Sequence, residues 1–286
     1  MNQTEKLNYG LSPYRRSARL LWIAPTVFLF LILVIPTVSI VLRAASLHGF
    51  SNVLNNPTVR QALWFTTWQA LASTVLTLVV ALPVTFVLSR FAFRGSRALQ
   101  ALITVPFLLP TVVVSAAFLA VLPSRLHYTA TALIIAHAYF NLTVVVRIVG
   151  ARWEQLHPGI EQVASTLGAS RITVFRTVTL PLLRSAIATA SGVIALFAFT
   201  SYGIVRILGG PARSTIETEI YTRSVLIGDM SGALALSILQ MIVLTAVLWW
   251  WASFHRHKTP SPQISVEQQL PNTRGQKVMV HGIALV

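Results

Sequence analysis

Apolar residues run along this chain in long unbroken stretches. They show neither the alternation of a half-buried strand nor the one-sided stripe of a surface helix. Six stretches, at roughly 20–43, 61–89, 98–122, 129–149, 184–208 and 232–254, meet the need of a bilayer span for about 20 mostly apolar residues. None holds Lys, Asp or Glu in its middle. Arg43, Arg147, Arg184 and Arg206 fall at ends, where a long side chain can carry its charge back to the headgroups. The pattern predicts an all-α polytopic membrane helix bundle with six transmembrane helices over 20–254, an N-terminal segment 1–19 and a tail 255–286. The first stretch is too long for the apolar region of a cleavable signal and lacks a small-x-small site near its start. Pro25 and Pro36 interrupt it, which a membrane helix tolerates better than a soluble one. The second is long enough to begin as an interfacial helix around Arg60–Phe65.

Composition agrees. The chain is 55% hydrophobic and only 10% charged, where a soluble domain carries about 25% charged residues. Its net charge of +15 could signal nucleic acid, but the basic residues lie between spans and not on one face or tail. Sixteen of the 22 Lys and Arg fall on one side: Lys6, Arg15, Arg16 and Arg19; Arg90, Arg94 and Arg97; Arg147, Arg152, Arg171, Arg176 and Arg184; and Arg256, Lys258, Arg274 and Lys277. Arg43, Arg60, Arg125, Arg206, Arg213 and Arg223 fall on the other. The positive-inside rule then puts both termini in the cytoplasm of a cell-membrane protein. Trp22, Trp64, Trp68, Trp153 and the Trp249–Trp251 run fall near expected interfaces and read as an aromatic belt. With no Cys there is no disulfide, thiolate metal site or Cys nucleophile. No cofactor and no metal site are expected.

The segment between the fourth and fifth spans, 147–184, is the longest connection on the basic side and is not a polar linker. Pro158 can open a helix; Ile160, Val163, Ala164 and Leu167 then fall at helical spacing as one apolar stripe, and Gly168 ends or bends that helix. A second short helix is expected from Ser170 through Val178, stopped by Pro181, which opens the fifth span. Such an amphipathic helix can lie on the membrane surface or in a groove of a partner protein. The scarcity of flanking Lys leans towards the groove.

In this segment the chain resembles the importer permeases of ABC transporters. Their cytoplasmic signature is Glu-Ala-Ala, three residues, Gly, nine residues, Ile-x-Leu-Pro. Here the chain reads Gln162-Val163-Ala164, then Gly168, then Val178-Thr179-Leu180-Pro181, with the spacing kept throughout. Gln162 and Val163 depart from the first two signature residues, and Glu161 stands one residue early as a source of the carboxylate. The resemblance covers about 60–254, with the coupling segment at 158–181. It implies a coupling helix that docks on a separate cytoplasmic ATPase through Glu161, Gln162, Ala164 and Gly168, with Leu180 and Pro181 setting its angle to the fifth span. The implied partners are an ABC ATPase dimer, an extracytoplasmic solute-binding protein, a second permease half, identical or related, and the lipid bilayer. Nucleic acid is not among them.

The chain has no G-x-x-x-x-G-K-[ST] loop, so ATP hydrolysis is expected in a partner and not here. It also lacks the intramembrane carboxylates or Lys that a proton- or sodium-coupled carrier needs as relays. His137 and Asn141, one helical turn apart in the fourth span, are either an interhelical hydrogen-bonding pair or part of a solute path. Phe199-Thr200-Ser201-Tyr202-Gly203, Leu208-Gly209-Gly210-Pro211 and Thr215-Ile216-Glu217-Thr218-Glu219-Ile220-Tyr221 resemble the thiamine-type permeases, with ferric-iron permeases as near relatives and polyamine and sulfate permeases sharing the architecture. Thr200, Ser201 and Tyr202 are candidates for the path. Glu217 and Glu219 would dock a binding protein or stay solvated, the second being favoured. A membrane scaffold or channel without an ATPase is the reading from a different class. After the polar linker from Pro260, Val278-Met279-Val280-His281-Gly282-Ile283-Ala284-Leu285-Val286 is apolar to the last residue, as expected where a further span begins in a first half of a fused permease.

Overall fold

The computed structural model describes residues 14–45, 55–210 and 212–255, so the expectation for 278–286 lies outside the described residues. Contacts divide the chain into two units, Met1–Asn52 and Val53–Val286. Among its described residues the first contains one helix, α1 (Tyr14–Ala45), with Pro25 and Pro36 inside it. It carries the first expected span, and Ile23–Ser39 is its apolar stretch.

The second unit is helical throughout its described residues. It comprises α2 (Pro57–Arg90), α3 (Ser96–Leu108), α4 (Thr111–Val121), a short turn at Ser124–Leu126, α5 (Ala130–Glu154), α6 (Pro158–Thr166), α7 (Arg171–Phe199), α8 (Gly203–Leu208), α9 (Ile216–Tyr221) and α10 (Met230–His255). Among the described residues α2, α5, α7 and α10 are each long and apolar enough to cross a membrane, and α3 with α4 passes the same test only as a bent pair, a broken span or a re-entrant loop.

The core is the three-helix contact of α2, α5 and α7. Asn56 caps α2, its side chain accepting from the Thr58 N–H at 2.9 Å, and Pro57 fits the first turn, where a donor is not needed. The buried face of α2 is small and hydroxylic: Ala62, Thr66, Ala70, Ser73, Thr77, Ala81 and Thr85. The hydroxyls of Thr66, Thr77 and Thr85 donate to carbonyls four residues back in their own helix, at 2.6, 2.6 and 2.7 Å. Each is thereby satisfied internally, so small residues can bring the neighbouring backbones close, as membrane helices require. Against this face pack Val144, Val145 and Val149 of α5 and Leu183, Ala190 and Ile194 of α7.

The structure corrects three expectations. The stretch 98–122 is not one helix. It bends by 108° at Leu109–Pro110, because Pro110 forces Leu109 out of the α region (φ −78°, ψ 145°) and Pro106 weakens the turn before it. Neither arm, of 13 and 11 residues, can span the bilayer alone at about 1.5 Å per residue. The fifth span runs from Arg171 to Phe199, not 184–208, and Pro181 does not interrupt it. The turn before it widens into a π turn, Phe175–Thr179, closed by the Leu180 N–H on the Phe175 carbonyl. The extra residue relieves the carbonyl that Pro181 would crowd and absorbs its missing donor. The helix stops at Phe199, and after Thr200–Tyr202 the chain restarts as α8, whose first residue packs so tightly on α4 that a Cβ on Gly203 would collide with Thr111. Third, Trp153 is not an interfacial belt residue. It is 2% exposed, its ring 5.4 Å from that of Phe86. Trp64, Trp68 and Trp249 are exposed as a belt requires.

Removing that plug should destabilise the bundle. Trp153→Ala is expected to cost about 3–5 kcal/mol, read as a lower thermal unfolding temperature of the detergent-solubilised protein, whereas Trp64→Ala should leave it nearly unchanged.

Candidate functional site

The signature segment folds where α2, α5 and α7 converge. Leu156 is buried in the common core and fixes the exit from α5. The His157 side chain then caps α6, Nδ1 accepting from the Gly159 N–H at 3.0 Å. At the far end Gly168 has φ +86°. Its N–H donates to the Ser165 carbonyl at 3.0 Å and that of Ala169 to the Ala164 carbonyl at 3.2 Å, the paired bonds of a left-handed C-terminal cap, which a glycine adopts without strain. Ser170 caps the next helix by accepting from the Thr173 N–H at 3.2 Å. The segment is therefore a helix–turn–helix with a cap at each junction.

Its two faces differ. On the outward face Ile160, Val163 and Leu167 are 48%, 61% and 83% exposed, and Ile172 in the first turn of α7 is 71% exposed. Gln162 is exposed beside them, and Ala164 is half-buried. Leu180 and Pro181 are exposed on α7, two turns or more further along the helix from Ile172. Isolated exposed apolar side chains are ordinary; here four stand together on one helix–turn–helix.

The inward face is ionic. Glu161 Oε1 accepts from Arg90 Nη2 at 2.8 Å and from the Thr179 hydroxyl at 2.8 Å. Arg90 Nη1 donates to the Leu156 carbonyl at 3.0 Å. The side chain of Arg90 is 11% exposed and that of Glu161 30%, so the pair is only partly screened by water. Glu161, expected to offer its carboxylate to a partner, thus spends it on the bundle, while Gln162 stays available. Arg90 and Thr179 were not singled out from the sequence. Seventy-one residues separate Arg90 from Glu161, and Arg90 reads there only as one more basic residue after a span.

The other candidates lie apart. His137 and Asn141 are buried between α5 and α2. Asn141 Nδ2 donates to the His137 carbonyl at 2.9 Å, and the Ser73 hydroxyl lies 3.4 Å from His137 Nδ1. A cleft of about 230 Å³ between α2, α3 and α5 is lined by polar residues including Ser89, Gln100, Thr104 and Arg147, and by none of the path candidates. Thr200, Ser201 and Tyr202 form the half-buried break between α7 and α8. The Tyr202 ring is 5.2 Å from that of Tyr221, over which the Arg206 guanidinium sits at 5.6 Å.

Glu219 is buried and Glu217 half-buried, and both carboxylates are paired within the chain. Gln240 of α10 donates to Glu217 at 2.6 Å, and Arg223 donates to Glu219 at 2.9 Å and to Asp229 at 3.1 Å. The Asp229 carboxyl is held below its ordinary value by the Gly232 N–H, then by the Ser231 hydroxyl and Arg223.

No family model matches the chain. Individual proteins do. The chain is 32% identical over 175 residues to the sulfate transport system permease protein CysT of Salmonella typhimurium, covering 56% of this chain and 63% of that one. It is 28% identical over 222 residues to the thiamine transport system permease protein ThiP of Brucella abortus, covering 70% and 40%. It is 28% identical over 229 residues to the molybdenum transport system permease protein ModB of Mycobacterium tuberculosis, covering 74% and 86%. The match thus spans less than two thirds of the sulfate and thiamine relatives. A solved structure of a bacterial ABC transporter involved in the import of the acidic polysaccharide alginate has the same fold, with a TM-score of 0.71 at 15% identity over 86% of this chain and 98% of that one.

Two outcomes test the geometry. At Gly168 a Cβ would meet nothing within 4 Å, so only the backbone angle resists substitution. Gly168→Ala should cost about 1–2 kcal/mol of local stability and Gly168→Asn less, read by amide exchange over α6. For Asp229 the folded carboxyl ionises at lower pH than the unfolded one. Its contribution is therefore full above 3.8 and fades as pH falls through the lower folded value. The thermal stability advantage of the native protein over Asp229→Asn should be constant near neutrality and vanish in strong acid.

Proposed function

We propose that this chain is a permease subunit of a binding-protein-dependent ABC importer and forms one half of a channel through which a small solute enters the cytoplasm, driven by ATP hydrolysis in partner chains. The observation that carries this reading is the two-faced α6, apolar and uncovered on one side and ionically fixed to the bundle on the other. A helix held rigidly with Ile160, Val163, Leu167 and Ile172 uncovered suits a groove in a separate protein. The ATPase dimer is that protein, with Gln162, Ala164 and Gly168 in the contact and Leu180 and Pro181 at its edge. Glu161 serves the contact indirectly, by orienting the helix. A solute-binding protein delivers the cargo on the opposite side. One such bundle does not enclose a path, so a second half, identical or related, completes it. The setting is the inner membrane, with both termini cytoplasmic, as the basic flanks favour.

For cargo the reading is thiamine or a related compound, supported by the resemblance of 199–221 to thiamine-type permeases and by the 222-residue similarity to ThiP. A sulfate- or molybdate-type oxyanion is the second reading. It is favoured by the internal pairing of Glu217, Glu219 and Asp229, which leaves that end without a carboxylate to attract a cation, and by the similarity to CysT and ModB. Ferric-iron and polyamine cargo follow behind these, and a scaffold or channel without an ATPase has no observation in its favour.

Uptake of labelled thiamine, sulfate and molybdate at nanomolar concentration, in cells with and without the gene, separates these readings. Loss of thiamine uptake on deletion alone selects thiamine, and loss of oxyanion uptake alone selects the second reading. Restoration by the native gene but not by Gly168→Asp is expected, because Asp tolerates the left-handed backbone yet brings an unpaired charge into an apolar contact, at a cost of several kcal/mol. If Gly168→Asp binds its ATPase normally and transports, the docking assignment is wrong.

A further inference from the structure

We propose that Arg90 is a positioning residue of the transport cycle, a strut that makes α6 move as one body with the end of α2 and with the π turn of α7. The inference deepens the reading of α6 as the docking helix and rests on it.

Three elements far apart in sequence meet on one carboxylate. Arg90 is the last residue of α2, Glu161 lies in the first turn of α6, and Thr179 closes the π turn. Both N–H···O and O–H···O contacts to Glu161 Oε1 are 2.8 Å, and the other arm of the Arg90 fork holds the Leu156 carbonyl at the exit from α5. A single guanidinium thus ties the ends of α2 and α5 and the base of α6. Lys could not do this: it offers a point charge and not a fork that reaches two acceptors in different directions. The pair is also largely withdrawn from water, Arg90 at 11% exposure, where removing one partner leaves a charge without its counterion. Hydrophobic contact alone would hold α6 only weakly, since its apolar residues Ile160, Val163 and Leu167 are 48%, 61% and 83% exposed. The ionic joint is what stops a pull on that face from being spent in moving α6 relative to the membrane helices. It also delivers the pull to α2 and α7 together, the two helices whose packing with α5 forms the core.

The test uses full-length protein in nanodiscs with its ATPase and binding protein, and the variants Arg90→Ala, Arg90→Lys, Glu161→Ala and the double Arg90→Ala/Glu161→Ala. Amide exchange over residues 160–168 is expected to quicken in Arg90→Ala and, because a lysine keeps the charge but not the fork, to fall between native and Arg90→Ala in Arg90→Lys. The ATPase still co-purifies with Arg90→Ala. Solute uptake, and the stimulation of ATP hydrolysis by loaded binding protein, fall by about tenfold, as the loss of a contact with mid-range coupling energy would give. Arg90→Lys regains part of both, and the double variant is no worse than the poorer single one. Unchanged exchange over 160–168 in Arg90→Ala overturns the proposal even if the chain transports nothing. So does full uptake by Arg90→Ala, or additive losses in the double variant. Native protein that neither binds an ATPase nor transports, with exchange quickened as expected, fails the docking reading and leaves the strut in place.

Discussion

In hydrocarbon no water competes for a backbone N–H or C=O, so each must find a partner inside the protein. Two departures from regular helix in this bundle follow from that constraint. Pro181 withdraws a donor in the middle of α7, and the helix answers by widening into a π turn and not by breaking. Between α3 and α4 the prolines are four residues apart, no single widened turn can absorb both, and the chain bends by 108°. The hydroxyls of Thr66, Thr77 and Thr85 on the buried face of α2 donate within their own helix, so those donors make no demand on the neighbour and permit close packing. The same rule governs charge: Glu219 and Arg223, near the start of α10, satisfy each other and not a solvent they do not meet.

Much of this was legible in the chain because it depends on short-range chemistry. Helix length follows from apolar length. Pro158 and Gly168 begin and end α6 for reasons of φ alone, and both stand in the sequence as plainly as in the structure. The stripe at 160, 163 and 167 follows from a 3.6-residue period. What stayed hidden was long-range or cooperative. Arg90 and Glu161 attract only once α2, α5 and α6 have been brought together. Trp153 reads as interfacial because a Trp near a span end usually is; its burial depends on Phe86 standing opposite. Glu217 looked free because its partner, Gln240, belongs to the next helix. The end of α7 was misplaced because apolarity continues past Phe199 into α8, and only the tight approach of Gly203 to Thr111 explains the corner.

The segment proposed to dock gains its character from the contrast between its faces. Exposed apolar surface on a flexible loop would collapse onto the nearest helix. Here the caps at His157 and Ser170, the left-handed turn at Gly168 and the ionic underside hold it outward. Rigidity of this kind lowers the ordering entropy that a partner would otherwise have to offset on binding. An exposed carboxylate at the signature position is not needed for it.

The broken arm has a consequence for how such a chain can be made. Neither α3 nor α4 is long enough to settle across a bilayer alone, and the groups that secure them come later in the chain: the Thr143 hydroxyl, which reaches the Ile103 carbonyl at 2.5 Å, and the corner at Gly203. During synthesis the ribosome delivers the arm well before its supports. The arm therefore lacks its full set of partners until both α5 and α8 have been made.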